Sequence, residues 1–76
     1  MTTFRIRKSL YGNYLYLRIR DDNGNEDTVA QYYTGEEARR GYARMVAAGI
    51  TAQLTAAELE TQIAKLKLNP PTGGQS

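Results

Sequence analysis

From Phe4 to Arg20 the chain alternates with a period of two. Phe4 and Ile6, then Leu15, Leu17 and Ile19, fall on one side, and Arg5, Arg7, Tyr14, Tyr16, Arg18 and Arg20 on the other. Successive side chains of a β-strand point to opposite faces, so this stretch predicts two strands of a half-buried antiparallel sheet. One face is apolar and needs a core. The other is basic and aromatic.

The punctuation along the chain supplies the remaining elements. Residues 3–10 and 13–20 read as strands joined at Tyr11-Gly12-Asn13, where glycine and asparagine tolerate the positive φ of tight hairpins. Asp22-Asn23-Gly24-Asn25 contains the Asn-Gly pair of a two-residue type I′ turn, so residues 26–34 are expected to return as a third strand. Its facing stays open: Val29, Gln31 and Tyr33 share one parity, and Thr28, Ala30 and Tyr32 the other. Thr34-Gly35-Glu36-Glu37 is a capping box in which Glu37 is expected to reach back to the Thr34 amide. The helix it opens carries Ala38, Gly41, Tyr42, Met45 and Val46 at helical spacing, and Gly49 suits a left-handed stop. Thr55-Ala56-Ala57-Glu58 is a second box, with Leu54 and Leu59 placed as a hydrophobic staple. It predicts a helix over 56–68 with a Leu59, Ile63, Leu66 stripe, stopped by Pro70-Pro71. The expected fold is α+β: a three-stranded antiparallel β-meander packed on one helix, followed by a second C-terminal helix. One domain spans residues 1–69, and 70–76 form a disordered tail. The second helix either packs back, favoured because so small a sheet needs cover, or offers its stripe to a second copy as a homodimer contact.

Chemistry is constrained by what is missing. The 76 residues include no histidine and no cysteine, which removes the commonest acid/base group, the commonest metal ligand and any thiolate site. Ser9 and Ser76 have no histidine to activate them. Asp21, Asn23 and Asn25 alternate like oxygen ligands of a calcium loop, yet the glycine falls at the fourth position and Tyr32 stands where the twelfth-position glutamate belongs. A non-enzymatic protein without metal or cofactor is the reading. The lack of cysteine, of a long apolar run and of a secretory signal points to a cytoplasmic protein that does not enter membranes.

Charge distribution says more than the net +2. Residues 1–20 hold five basic and no acidic side chains, residues 21–37 six acidic and no basic ones, and residues 38–49 three arginines. Exposed strands also carry Arg and Tyr for packing and solubility, but a merely soluble face normally mixes signs. The face Arg5, Arg7, Tyr14, Tyr16, Arg18 and Arg20 therefore reads as a polyanion surface. Guanidinium groups match phosphates and guanine edges, and phenol rings can stack on bases. Arg39, Arg40 and Arg44 of the first helix would extend the footprint if they lie near a sheet edge. With no basic residue in the third strand, the footprint is expected to centre on Arg18 and Arg20.

Four segments, Phe4-Arg5-Ile6-Arg7, Gly12-Asn13-Tyr14-Leu15-Tyr16, Asp22-Asn23-Gly24 and Thr34-Gly35-Glu36-Glu37-Ala38, together resemble the arm-type DNA-binding domain of phage tyrosine integrases across residues 4–48. The resemblance implies a three-stranded sheet backed by a helix, with its exposed face in the major groove of duplex DNA. In scale the chain is also similar to small phage-encoded inhibitors of host machinery, including anti-CRISPR proteins. That likeness implies a host protein or nucleoprotein as the alternative partner, met by the basic face or by Asp21, Asp22, Glu26 and Asp27 as a nucleic-acid mimic.

Overall fold

The computed structural model describes residues 1–66. The Pro70-Pro71 stop and the tail lie outside them. Within them the fold is α+β, a four-stranded mixed sheet with two helices. Strands β1 (Thr3–Lys8), β2 (Leu15–Arg20) and β3 (Glu26–Tyr32) form the anticipated antiparallel meander. Helix α1 (Gly35–Ala47) then leads to a two-residue strand β4 (Thr51–Ala52), which pairs in parallel with β1, and α2 (Ala56–Leu66) follows. The sheet order is β3-β2-β1-β4. The fourth strand corrects the three-stranded expectation. Two residues show no periodicity, and parallel pairing requires a long crossover, which α1 provides.

Both helices pack on the apolar face. Phe4, Ile6, Leu15 and Leu17 are fully buried, with Ala38 of α1 and Leu54 and Leu59 around them. Tyr42 stacks edge-on against Phe4 at 5.6 Å and donates to the Leu54 carbonyl. Ile63 of α2 packs against the same cluster, so Leu59 and Ile63 serve the chain's own core. The approach of α2 to α1 is close enough that a Cβ at Gly35 would lie 2.8 Å from Ile63 Cγ2. At about 1.5–3 kcal/mol for each large buried apolar side chain, these few residues supply most of what holds so small a domain together.

Local chemistry sets the ends of the elements. The Thr34 hydroxyl accepts from Glu37 N, but Glu37 Oε1 accepts from Tyr33 N rather than from Thr34 N, one residue earlier than the box predicts. At the other end of α1, Gly49 (φ +83°) donates to Val46 O, and Ile50 N to Met45 O, the two bonds of a Schellman stop. The box of α2 is reciprocal: Glu58 N donates to Thr55 Oγ1, and Thr55 N to Glu58 Oε1 at 2.7 Å. Gln62 then closes the edge of β1 that β4 is too short to cover. Its side-chain amide accepts from Lys8 N and donates to Ile6 O, as a peptide group of a neighbouring strand would.

The two hairpins differ from the predicted ones. Between β1 and β2 the loop is long, closed by Ser9 N to Tyr14 O, and Gly12 does not adopt a positive φ. Glycine is needed there for space, since a Cβ would lie 2.9 Å from the Tyr14 ring. Between β2 and β3 the closing pair is Asp21 and Asn25, with three residues inside: Gly24 (φ +87°) donates to Asp21 O, and Asp21 N to Asn25 O. The Asp21 carboxylate also accepts from Asn23 N and Asn25 N, both at 2.9 Å. A three-residue loop replaces the predicted type I′ turn because Asp21 can hold two amides that water would otherwise take.

Leu17→Ala is expected to destabilise the fold by about 2–5 kcal/mol, read as a lower urea midpoint. The backbone amide bond from Asn25, ahead of those from Asn23 and Gly24, holds the Asp21 carboxyl below its ordinary range. The turn contribution is thus present above the unfolded-state pKa and lost as pH falls through the lower folded value. The protection of the Asn25 and Asn23 amides relative to their intrinsic exchange rates should fall in acid, and in D21A it should be lower than in the parent at neutral pH.

Candidate nucleic-acid interface

The register of the sheet brings the sequence-selected residues together on the face away from the helices. Arg5 stands opposite Arg18, Arg7 opposite Tyr16, and Thr3 opposite Arg20. Like charges directly opposed across strands repel, so this arrangement requires a counter-ion. Glu26 of β3 provides it. It stands opposite Arg20, and its Oε1 lies 3.3 Å from Arg5 Nη2 and 3.2 Å from Arg18 Nε, while Oε2 lies 3.1 Å from Arg20 Nε. Arg18 Nε is screened from solvent and contacts Oε1 as an ion pair without hydrogen-bond alignment. Three guanidinium groups share one carboxylate.

The other end of the same face is aromatic. Tyr14 meets Tyr33, just past the end of β3, with ring centroids 5.4 Å apart, and Tyr33 donates to Gln31 Oε1. Tyr16 is half-buried between Arg7 and Gln31, its partners on either side. Leu10 and Tyr11, in the loop beyond, are 90% and 93% exposed. Arg7 has no acidic partner among the described residues.

A register shift in β3 resolves the facing that parity left open. Leu17 pairs with Ala30 but Arg18 with Thr28, so Val29 is an extra residue. Such a bulge leaves Glu26 and Thr28 on the outer face while Ala30 and Tyr32 turn inward. Tyr32 packs against the core, and Tyr33 is exposed.

The two helical arginines do not join this surface. Arg39 is bound to Glu60 of α2 through Nε at 2.7 Å and Nη2 at 2.9 Å, a bridge between the helices on the opposite layer. That hydrogen bond holds the Glu60 carboxyl below its ordinary range. Arg40 pairs with Glu36 along α1. The expectation that Arg39, Arg40 and Arg44 extend the footprint required them to lie near a sheet edge; Arg40 and Arg44 line a groove beside the β3 edge, on the side of the sheet that α1 covers. Glu26 was missed as a member of the site. Counting outward from a three-residue loop closed by Asp21 and Asn25 puts it opposite Arg20.

Among the described residues no group of three or more acidic side chains is arranged to hold a metal ion, and no helix is long and apolar enough to cross a membrane. Compared with protein families, curated proteins and solved structures, the chain matches none.

Removing the shared carboxylate in E26Q is expected to cost about 1–2 kcal/mol of stability, because Arg5 and Arg18 then face each other uncompensated. Urea melts at low and high salt check this. The loss should shrink as salt screens the arginines.

Proposed function

We propose that the protein is a small non-enzymatic nucleic-acid-binding module that docks through its outer sheet face, with duplex DNA the favoured target. The observation that carries this reading is that both helices pack on one side, leaving Arg5, Arg7, Arg18, Arg20, Tyr14 and Tyr16 together on the uncovered side. Glu26 lowers the charge of the cluster without cancelling it: three guanidinium groups against one carboxylate leave a surplus of two positive charges. It also restrains three long side chains before binding, which reduces the ordering cost of a phosphate contact.

The strand pair β1–β2 carries all four arginines, and strands lie about 4.8 Å apart. A ribbon of that width can enter a major groove about 12 Å wide. The basic end would meet phosphates or guanine edges, while Arg7 and the tyrosine end contact the adjoining backbone. With β3 supplying Glu26 and no basic residue, the footprint is lopsided and centred on Arg18 and Arg20.

Fluorescence anisotropy against labelled duplex and single-stranded DNA across a salt series tests this. Affinity should fall steeply with salt, and the R18A/R20A double variant should reduce the slope of log K against log salt by about 1.8 on duplex. E26Q should bind more tightly than the parent at low salt, since it removes the one negative charge inside the cluster. Absence of salt-sensitive binding to either DNA form at low salt would overturn the reading.

A further inference from the structure

The sheet is closed on one edge and open on the other. At β1 the backbone groups are taken by β4 and by Gln62. Among the described residues no strand lies beyond β3. Beneath that open edge, between β3 and α1, runs a groove of about 340 Å³. Leu17, Ala30 and Met45 make its apolar lining, and Tyr32, Arg40 and Arg44 contribute polar groups.

Three features give the groove a chemical preference. Arg40 is paired with Glu36, but Arg44 has no acidic partner among the described residues. Glu37, which also lines the groove, is engaged by the Tyr33 amide. The Tyr32 hydroxyl lies against Gly41, where any Cβ would overlap it, and has no hydrogen-bond partner among the described residues. Burial pushes the Tyr32 phenol up, further above neutral pH, at which a phenol is a donor in any case. Glu37 keeps its negative charge, held at the Tyr33 end by that amide, and an open backbone edge, an apolar trough and the Arg44 guanidinium together fit an extended chain that brings a carboxylate.

We infer that the β3 edge and the groove beside it take an extended acidic segment of a protein partner, added as a further strand with a carboxylate directed at Arg44. Backbone pairing gives such a complex its affinity, and alternate side chains entering the groove give its specificity. The Val29 bulge interrupts the edge and confines regular pairing to the Ala30–Tyr32 side, so a short segment suffices. A second copy is a poorer occupant. The Val29 bulge guards the edge against the long self-pairing that a twofold β3–β3 contact would need.

The test pans a random-peptide library on the intact chain, followed by NMR titration of the labelled protein with the enriched peptide. Enriched sequences should carry Asp or Glu at alternate positions, shift the amides of Ala30, Gln31 and Tyr32, and slow their exchange. R44E, shown folded by circular dichroism, should weaken binding about tenfold or more, while Arg44→Lys stays within about threefold. R18A/R20A should leave peptide binding unchanged, which separates this site from the DNA-binding face. Failure to enrich any peptide, enriched peptides without acidic residues, shifts confined to the outer face, or R44E binding as the parent does would each overturn the assignment. So would a concentration-dependent dimer whose interface maps to the groove, which would give the site to a second copy.

Discussion

Everything in this fold depends on burying one face of the β1–β2 pair. Phe4, Ile6, Leu15 and Leu17 are almost wholly removed from water, and both helices converge on them, α2 with the nearly buried Leu59. A chain of this length has little other apolar surface to hide, so neither helix can be spared for the second face of the sheet. The charged residues that alternate with the core are thereby left together in solvent. The outer surface is basic and aromatic because the inner one is apolar, and a period of two allows no other assignment.

That geometry creates its own electrostatic problem. Antiparallel pairing in this register sets Arg5 against Arg18, and the next outward pair on β2 adds Arg20. Glu26 answers all three from the neighbouring strand, and its position follows from the length of the β2–β3 loop. A two-residue loop closed by Asp22 and Asn25 would have paired Arg20 with Asp27 and left Glu26 beside Asp21. The Asp21 carboxylate, by holding the Asn23 and Asn25 amides, selects the three-residue loop and so places the counter-ion. A turn residue thus governs the charge of a surface formed by residues on both strands and on β3.

The features legible in the sequence were those with a repeating or paired signature. Alternation placed the Arg/Tyr face, the two capping boxes located both helices, and Gly49 marked the first helix's end. What escaped had weaker signatures. β4 is two residues long and is held by a partner distant in sequence. The bulge at Val29 adds one residue to a strand, and no composition cue marks it. Capping by Glu37 slipped to Tyr33 N because a long side chain can reach either amide. Arg39 was readable as basic and helical, but its partner lies 21 residues further on in α2, and only packing brings Glu60 to it.

The two sheet edges show how tertiary packing decides where the chain is open. On β1, a strand of two residues and one glutamine side chain complete the hydrogen bonding, an economy possible because α2 crosses close to that edge. On β3 no strand pairs from outside among the described residues. α1 descends from Thr34 beneath the sheet, and Gly41 lets it settle against the Tyr32 hydroxyl, leaving a trough whose rim carries Arg40 and Arg44. An unpaired edge invites further strands, and the chain limits that invitation with a bulge on the strand. The bulge that discourages a long added strand leaves a short stretch of regular edge from Ala30 to Tyr32, next to the Arg44 guanidinium.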